Sequence, residues 1–220
     1  MLGLATRAVA AGFAGALLMA PGVATAQGGE FEERTVQADV DGDGRLDGVT
    51  SREVDADTQA LIFGLAEEQV DTTFGWNSSY PLQEPRRVDV NGDGRHEVVV
   101  TESVGANTLT LAVRDYDPAS GIRSVTTVDG APLRLYEGGG VSANSGYGCL
   151  DDHTGTRELV TVNAHVTSTP DDTPLFSGER TTFLVDNGVA TETNKEQFND
   201  VTRDDPLLAT NPQSCGVAVR

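Results

Sequence analysis

One acidic nine-residue pattern occurs twice in the sequence and constrains the fold more than any other feature. The first copy spans residues 39–47 and the second spans residues 89–97. Each copy has an oxygen-bearing side chain at positions 1, 3, 5 and 9 and a glycine at position 6. This spacing lets a tight loop wrap oxygen ligands around a hard cation, because the glycine permits the sharp bend. Carboxylates this close repel one another without a divalent ion, so we predict two Ca²⁺ loops rather than acidic surface turns.

The predicted ligands are the side-chain oxygens at positions 1, 3, 5 and 9, together with the backbone carbonyl at position 7. An arginine at position 7 is compatible with this role, because its carbonyl and not its side chain would bind the ion. In the first loop the ligands are Asp39, Asp41, Asp43, Arg45 and Asp47. In the second loop they are Asp89, Asn91, Asp93, Arg95 and Glu97.

The residues after each loop distinguish between calcium-binding architectures. A helical EF-hand needs a glutamate at position 12, where this chain has Thr50 and Val100. Residues 48–51 and 98–101 are rich in β-branched side chains, which favours strands. This arrangement resembles the loop-then-strand units of FG-GAP/VCBS repeats, the calcium-bearing blades of integrin-α-type β-propellers. The resemblance implies an all-β fold, a propeller-like array of about three to four antiparallel blades with calcium loops.

The N-terminal residues have the features of an export signal. Within residues 1–26, a basic residue precedes an apolar run and a small-residue cleavage box. A retained N-terminal anchor is the alternative. We expect residues 27–34 to form a flexible tail and residues 35–220 to form a single β domain.

The charge of the chain limits its partners. Removing the predicted signal leaves 14 basic and 34 acidic residues, a net charge of −20. This charge repels nucleic acid and anionic lipid, so we expect neither nucleic acid nor a membrane as a partner of the processed chain. We expect a secreted or surface-exposed bacterial protein whose partner is an extracellular protein or glycan.

Further strands follow from hydrophobic alternation and turn residues. Residues 60–65 and 70–74 predict a hairpin, with a short helix through residues 65–68 as the alternative. Residues 182–185 and 189–191 flank Asp186-Asn187-Gly188, which predicts a second hairpin with a primed turn.

A third copy of the loop is degenerate. Aligning Glu158 with Glu97 places Leu150 and Thr154 at positions 1 and 5, so two ligands are lost. We expect this loop to bind calcium weakly or not at all, as worn copies are typical of repeat proteins.

The two cysteines of the chain, Cys149 and Cys215, are predicted to form a disulfide, since the chain is expected to be exported. A zinc site that adds His153 would have only three protein ligands and is disfavoured.

No catalytic motif is found in the sequence. His96 is expected to face solvent, and His153 is the strongest candidate for a functional histidine. Trp76 is expected to be a core residue, with contact to a ligand such as a sugar as the alternative. We therefore expect an exported, calcium-stabilised, non-enzymatic β-repeat module for surface binding or adhesion. The alternative is a secreted hydrolase or lyase with structural calcium sites.

Overall fold

The computed structural model describes residues 32–77, 80–152 and 155–216. The predicted signal and most of the predicted tail lie outside these residues. Glu33 and Arg34, the last two residues of that tail, belong to the first strand. No helix among the described residues is long and apolar enough to cross a bilayer.

The described residues form fourteen strands and three short 3₁₀ turns, so the all-β prediction is confirmed. The strands are β1 (Glu33–Ala38), β2 (Asp47–Asp55), β3 (Thr58–Gly64), β4 (Gln69–Gly75), β5 (Arg86–Val88), β6 (Glu97–Val104), β7 (Thr108–Asp117), β8 (Gly121–Ser124), β9 (Thr126–Thr127), β10 (Arg134–Gly138), β11 (Ala143–Asp151), β12 (Arg157–Ser168), β13 (Leu175–Asp186) and β14 (Val189–Val201). The 3₁₀ turns are Pro170–Asp172, Pro206–Leu208 and Pro212–Cys215.

Three four-stranded antiparallel meanders account for most of these strands. We call β1–β4 the first meander, β5–β8 the second and β11–β14 the third. The first is a sheet of its own, in the order β1-β2-β3-β4. The second and third share one sheet, in the order β5-β6-β7-β10-β11-β12-β13-β14-β9, with β8 paired to β7.

This topology differs from an array of separate blades. Strand β10 pairs with β7 and with β11, so it joins the second meander to the third through main-chain hydrogen bonds. Strand β9 pairs in parallel with the start of β14 and lies two residues after β8. The described residues contain no closed barrel or propeller.

The second meander contributes side chains to two hydrophobic cores. In β6, Val98 and Val100 belong to the core that contains Phe63 of the first meander. Val99, between them, belongs to the core that contains Leu159 of the third meander. Successive side chains of a strand point to opposite faces, and here both faces are covered, which explains the continuous run of buried valines.

The hairpin predictions are confirmed. Strands β3 and β4 pair as a hairpin, and residues 65–68 form the connection between them rather than a helix. Strands β13 and β14 pair next to the turn, with Asp186 opposite Val189. Asn187 and Gly188 have φ values of 48° and 77°, the positive values that a primed turn requires at both central residues.

The C-terminal segment, residues 202–216, packs on β11 and ends at the disulfide. Cys149 and Cys215 are bonded with their Cα atoms 4.8 Å apart, which confirms the predicted pairing. An added Cβ at Gly146 would meet the Thr210 hydroxyl at 2.0 Å, so glycine is needed where the segment crosses the strand. The disulfide fixes this segment beside the second acidic loop.

Candidate metal centre

Both acidic loops connect the first and second strands of a meander. The first loop lies between β1 and β2, where Ala38 is paired with Asp47. The second lies between β5 and β6, where Val88 is paired with Glu97. Each strand pair therefore closes the base of its loop and fixes the ninth-position carboxylate at the start of a buried strand.

The first loop is organised by its own carboxylates. Asp39 accepts hydrogen bonds from the backbone N–H groups of Gly42 at 2.8 Å and Gly44 at 3.0 Å. Asp41 accepts one from Asp43 N–H at 3.0 Å. One carboxylate oxygen from each of the three aspartates lies within 4.8 Å of the others. The loop thus brings three negatively charged side chains of the predicted ligand set together.

The second loop repeats this hydrogen-bond pattern. Asp89 accepts from Gly92 N–H at 2.6 Å and from Gly94 N–H at 3.3 Å. Asn91 accepts from Asp93 N–H at 3.0 Å. The equivalence extends to position 7, since Arg45 and Arg95 each donate a backbone N–H at 2.7 Å to the position-5 aspartate.

The glycines at positions 4 and 6 adopt backbone conformations that other residues rarely adopt. Gly44 and Gly94 have φ values of 84° and 91°. These positive values produce the sharp turn at position 6 and explain why both copies have glycine there. Gly42, at position 4, has a φ of 78° and packs against the Arg95 side chain, where an added Cβ would lie 2.6 Å from Cδ.

The ninth-position carboxylates are buried beneath their loops. Asp47 and Glu97 are 4% and 2% exposed. Each accepts one backbone hydrogen bond, from Val40 N–H at 3.0 Å and from Val90 N–H at 2.9 Å respectively. The pKa of Glu97 is raised to about 8, mainly by burial and in smaller part by nearby carboxylates, of which Asp115 is foremost.

The pKa of Asp47 is raised as well, first by burial and then by the charges of Asp41, Asp43 and Asp39. A divalent cation would offset both causes, because it compensates a buried negative charge and removes the repulsion within the loop. The donor sets consist of oxygen atoms, the ligands that Ca²⁺ prefers. In the first loop the carboxylate oxygens of Asp39, Asp41 and Asp43 lie close enough together to hold one metal ion. The second loop has the same donor types at equivalent positions, and the carbonyls of Arg45 and Arg95 remain predicted further ligands.

His96 connects the two loops, contrary to the expectation that it faces solvent. It is 7% exposed. Asp39 N–H donates to His96 Nδ1 at 2.8 Å, and His96 N–H donates to the Asp39 carbonyl at 2.8 Å. His96, at position 8 of the second loop, therefore fixes the peptide groups of Asp39, the first residue of the first loop. Sequence spacing gave no sign of this contact, because it joins residues 57 positions apart.

The second loop is held from the other side by the disulfide-linked segment around Cys215. Asp89 N–H donates to the Cys215 carbonyl at 2.7 Å. The Asp89 carbonyl accepts from Arg157 Nη1 at 3.0 Å, and the same nitrogen donates to the Gly216 carbonyl at 3.0 Å. In both loops, then, a neighbouring part of the chain fixes the peptide groups of the first ligand residue.

The third loop is shorter than the sequence alignment assumed. Asp151 is paired with Arg157, which leaves five residues between them, whereas eight residues separate the paired Ala38 and Asp47. The register places Arg157, not Glu158, at the position of Glu97. The Glu158 alignment was wrong because it assumed a loop of full length.

Arg157 is a buried cation at the place where the other loops have a buried carboxylate. It is 5% exposed and donates to both carboxylate oxygens of Asp151, at 2.6 and 2.9 Å. This bidentate ion pair fixes the position of the guanidinium group and compensates its charge. Thr156 N–H donates to the Asp152 carboxylate at 2.8 Å, so the short turn also has a side-chain bond of its own.

The remaining candidate residues lie away from the two loops or outside the residues that the structure describes. Trp76 is buried, at 5% exposure, in agreement with a core role. His165 is exposed on β12. His153 and Thr154 lie outside the described residues.

Comparison with known proteins gives no relative from which a function could be transferred. No family model matches the chain, and neither a curated protein nor a solved structure matches it.

Proposed function

We propose that this protein is an exported β-repeat module, stabilised by two calcium ions, that binds a protein or glycan partner at the cell surface. The first ion would be held by residues 39–47 and the second by residues 89–97. The ions would order the loops and the strand ends next to them, and the module would present its surface to the partner without catalysing a reaction.

The observation that carries the proposal is the repetition of one loop geometry. Two segments fifty residues apart share the same oxygen side chains and equivalent internal hydrogen bonds. Each also has a buried carboxylate at position 9. A surface turn does not need a buried acid at a matched position, because burying a carboxylate without a compensating cation destabilises the folded state.

Arg157 supports the same interpretation from the third meander. Where the loop is shortened, the buried position has a guanidinium in place of a carboxylate. A guanidinium can compensate nearby negative charge without a metal ion. The proposal therefore assigns two calcium ions, not three, to the described part of the chain.

The calcium stoichiometry tests this proposal. Isothermal titration of the metal-free protein with CaCl₂ should give two sites in the wild type. We expect one site in Asp43→Ala and one in Asp93→Ala, because each substitution removes a central ligand of one loop. Asp57→Ala, at an exposed aspartate in the β2–β3 turn, is the matched control and should retain both sites. A wild-type protein that takes up no calcium would refute the proposal.

A further inference from the structure

The second acidic loop packs against the first through its positions 7 and 8. His96, at position 8, forms two hydrogen bonds with the peptide groups of Asp39, each 2.8 Å long. The Arg95 side chain, at position 7, covers Gly42, where an added Cβ would lie 2.6 Å from Arg95 Cδ. The first loop is therefore contacted at position 1, its first predicted ligand, and at position 4, the first of its two glycines.

The equivalent residues of the first loop have a different environment. Arg45 and Leu46, at positions 7 and 8 of that loop, are exposed, and Leu46 is 57% exposed. His96, by contrast, is almost fully buried. The contact therefore depends on the position-8 histidine of the second loop and is not a property of the repeated sequence pattern.

The third turn packs against the second loop at the same two positions. Arg157 Nη1 donates to the Asp89 carbonyl at 3.0 Å, and a Cβ added at Gly92 would lie 3.0 Å from Arg157 Cβ. Positions 1 and 4 of each acidic loop are thus covered by the loop or turn that follows it in the chain. Arg157 is fixed by its ion pair with Asp151, which needs no metal ion. The cover of the first loop, in contrast, belongs to a predicted calcium site.

His96 lies between two predicted ligands of the second ion, the carbonyl of Arg95 and the carboxylate of Glu97. An ion bound there would restrain both neighbours of His96 and, through them, His96 itself. The two hydrogen bonds would then hold Asp39 in place before the first loop binds its ion. Part of the entropic cost of ordering the first loop would already be met, so its ion would bind more tightly.

Repulsion between the two ions acts in the opposite direction. The first loop has four carboxylates and one arginine, so it retains a net negative charge after it binds one ion. Asp43 and Asp93 are exposed, and salt at physiological ionic strength screens interactions between exposed charges beyond about 8 Å. Direct hydrogen bonds are not screened in this way, so we expect the contacts at Asp39 and Gly42 to determine the sign of the coupling.

We propose that the two loops bind calcium cooperatively and that His96 and Arg95 transmit the coupling. Each ion raises the affinity for the other about fivefold, at the lower end of the range for coupled sites, because ion repulsion offsets part of the gain. His96 is a positioning residue, since it acts through the backbone of Asp39. The inference rests on the proposed calcium binding and adds its regulation.

Isothermal titration with CaCl₂ tests the coupling when the wild type is compared with variants that retain one loop. Asp43→Ala reports on the second loop alone, and Asp93→Ala reports on the first loop alone. We expect each remaining site to bind about fivefold more weakly than the same site in the wild type, with equal factors because coupling is reciprocal. Raising the salt concentration should weaken both sites but should not lower the coupling factor.

Substitutions at His96 separate its contact from the rest of the loop. His96→Leu gives the second loop the same position-8 residue as the first, so both sites should remain while most of the coupling is lost. His96→Asn should retain the coupling, because its amide oxygen can accept the Asp39 N–H bond. Leu46→Ala, at the exposed position 8 of the first loop, is the matched control and should keep the wild-type coupling.

Hydrogen exchange of the Asp39 amide, followed by NMR, is a second readout. In Asp43→Ala calcium should occupy only the second loop, yet it should slow exchange of the Asp39 N–H, because this group donates to His96 Nδ1. If His96→Leu prevents folding, Arg95→Ala serves in its place. Arg95→Ala uncovers Gly42 but keeps the backbone carbonyl at position 7, so it should lower the coupling and leave two sites.

The outcomes distinguish this inference from the proposal on which it rests. Two ions that bind with affinities independent of each other would overturn the inference and leave the proposed calcium binding intact. Absence of calcium uptake by the wild type would overturn both. Wild-type coupling in His96→Leu, or unchanged exchange of the Asp39 amide when calcium is added to Asp43→Ala, would contradict the role of His96.

Discussion

Replacement of Glu97 by glutamine should stabilise the metal-free protein although it removes a predicted calcium ligand. Burial raises the pKa of this carboxyl group from 4.5 to about 8. At pH 7 the unfolded chain ionises Glu97, whereas the metal-free folded protein keeps it protonated. This difference lowers the free energy of unfolding by about 3 kcal/mol at pH 7. Glutamine removes the cost and can still accept the Val90 N–H bond through its amide oxygen.

The size of the effect depends on pH. Below pH 4.5 the carboxyl group is protonated in both states, so Glu97 does not lower the free energy of unfolding of the metal-free protein. As pH rises from 4.5 to about 8 the unfolded state alone releases the proton, and the metal-free folded state loses stability. The advantage of Glu97→Gln over the wild type should therefore grow through this interval and level off above it.

Thermal unfolding in EDTA measures the effect. For a chain of this length, about 3 kcal/mol corresponds to a Tm increase of roughly 6–12 °C for Glu97→Gln at pH 7. Glu84→Gln, at an exposed glutamate, is the matched control and should leave Tm unchanged. In saturating calcium the order should reverse, because the variant lacks the ninth-position ligand of the second loop. A metal-free variant no more stable than the wild type at pH 7 would refute the reasoning.

Three further substitutions test the packing around the loops. Cys149→Ser should lower the free energy of unfolding by about 4 kcal/mol in chemical denaturation, since it opens the 66-residue disulfide loop. It should also weaken calcium binding at the second loop more than at the first. Equal weakening at both loops would contradict the link between the second loop and the disulfide-linked segment. Gly42→Ala should destabilise the protein more than Gly44→Ala does. Both glycines have a positive φ, but only a Cβ added at Gly42 meets the Arg95 side chain. Equal Tm values for the two variants would contradict this difference. Phe63→Ala should cost about 3–5 kcal/mol, because it empties a fully buried position between the first two meanders; a loss below 1 kcal/mol would contradict that packing.

Features that depend on neighbouring residues could be predicted from the sequence. The β3–β4 and β13–β14 hairpins follow from alternating apolar residues and local turn chemistry, and both are present. The same holds for the two loops, whose glycines and aspartates interact within nine residues. The disulfide was predictable for a different reason, because a chain with two cysteines offers only one pairing.

Contacts between distant segments could not be predicted in this way. His96 was expected to face solvent because position 8 lies on the outside of an isolated loop. In the folded protein the first loop covers this position and bonds to it. A similar limit applies to β10, since no local pattern indicates that it joins the second and third meanders into one sheet.

The third loop shows how a change in loop length misleads a sequence alignment. Glu158 is a glutamate followed by apolar residues, as Glu97 is, but the pairing of Asp151 with Arg157 sets the register. The bidentate ion pair between these two residues closes the shorter turn. Only the strand register shows that the buried guanidinium of Arg157 takes the place of the buried carboxylate of Glu97.

Thermal unfolding of the protein in EDTA and then in added calcium tests the central claim most directly. At a free calcium concentration one hundred times the Kd, each bound ion adds about 2.7 kcal/mol to the free energy of unfolding. Two ions should then raise Tm by roughly 10–20 °C, and EDTA should reverse the change. Asp43→Ala and Asp93→Ala should each lose about half of the increase. An identical Tm with and without calcium would show that the two acidic loops are surface turns and would contradict the account.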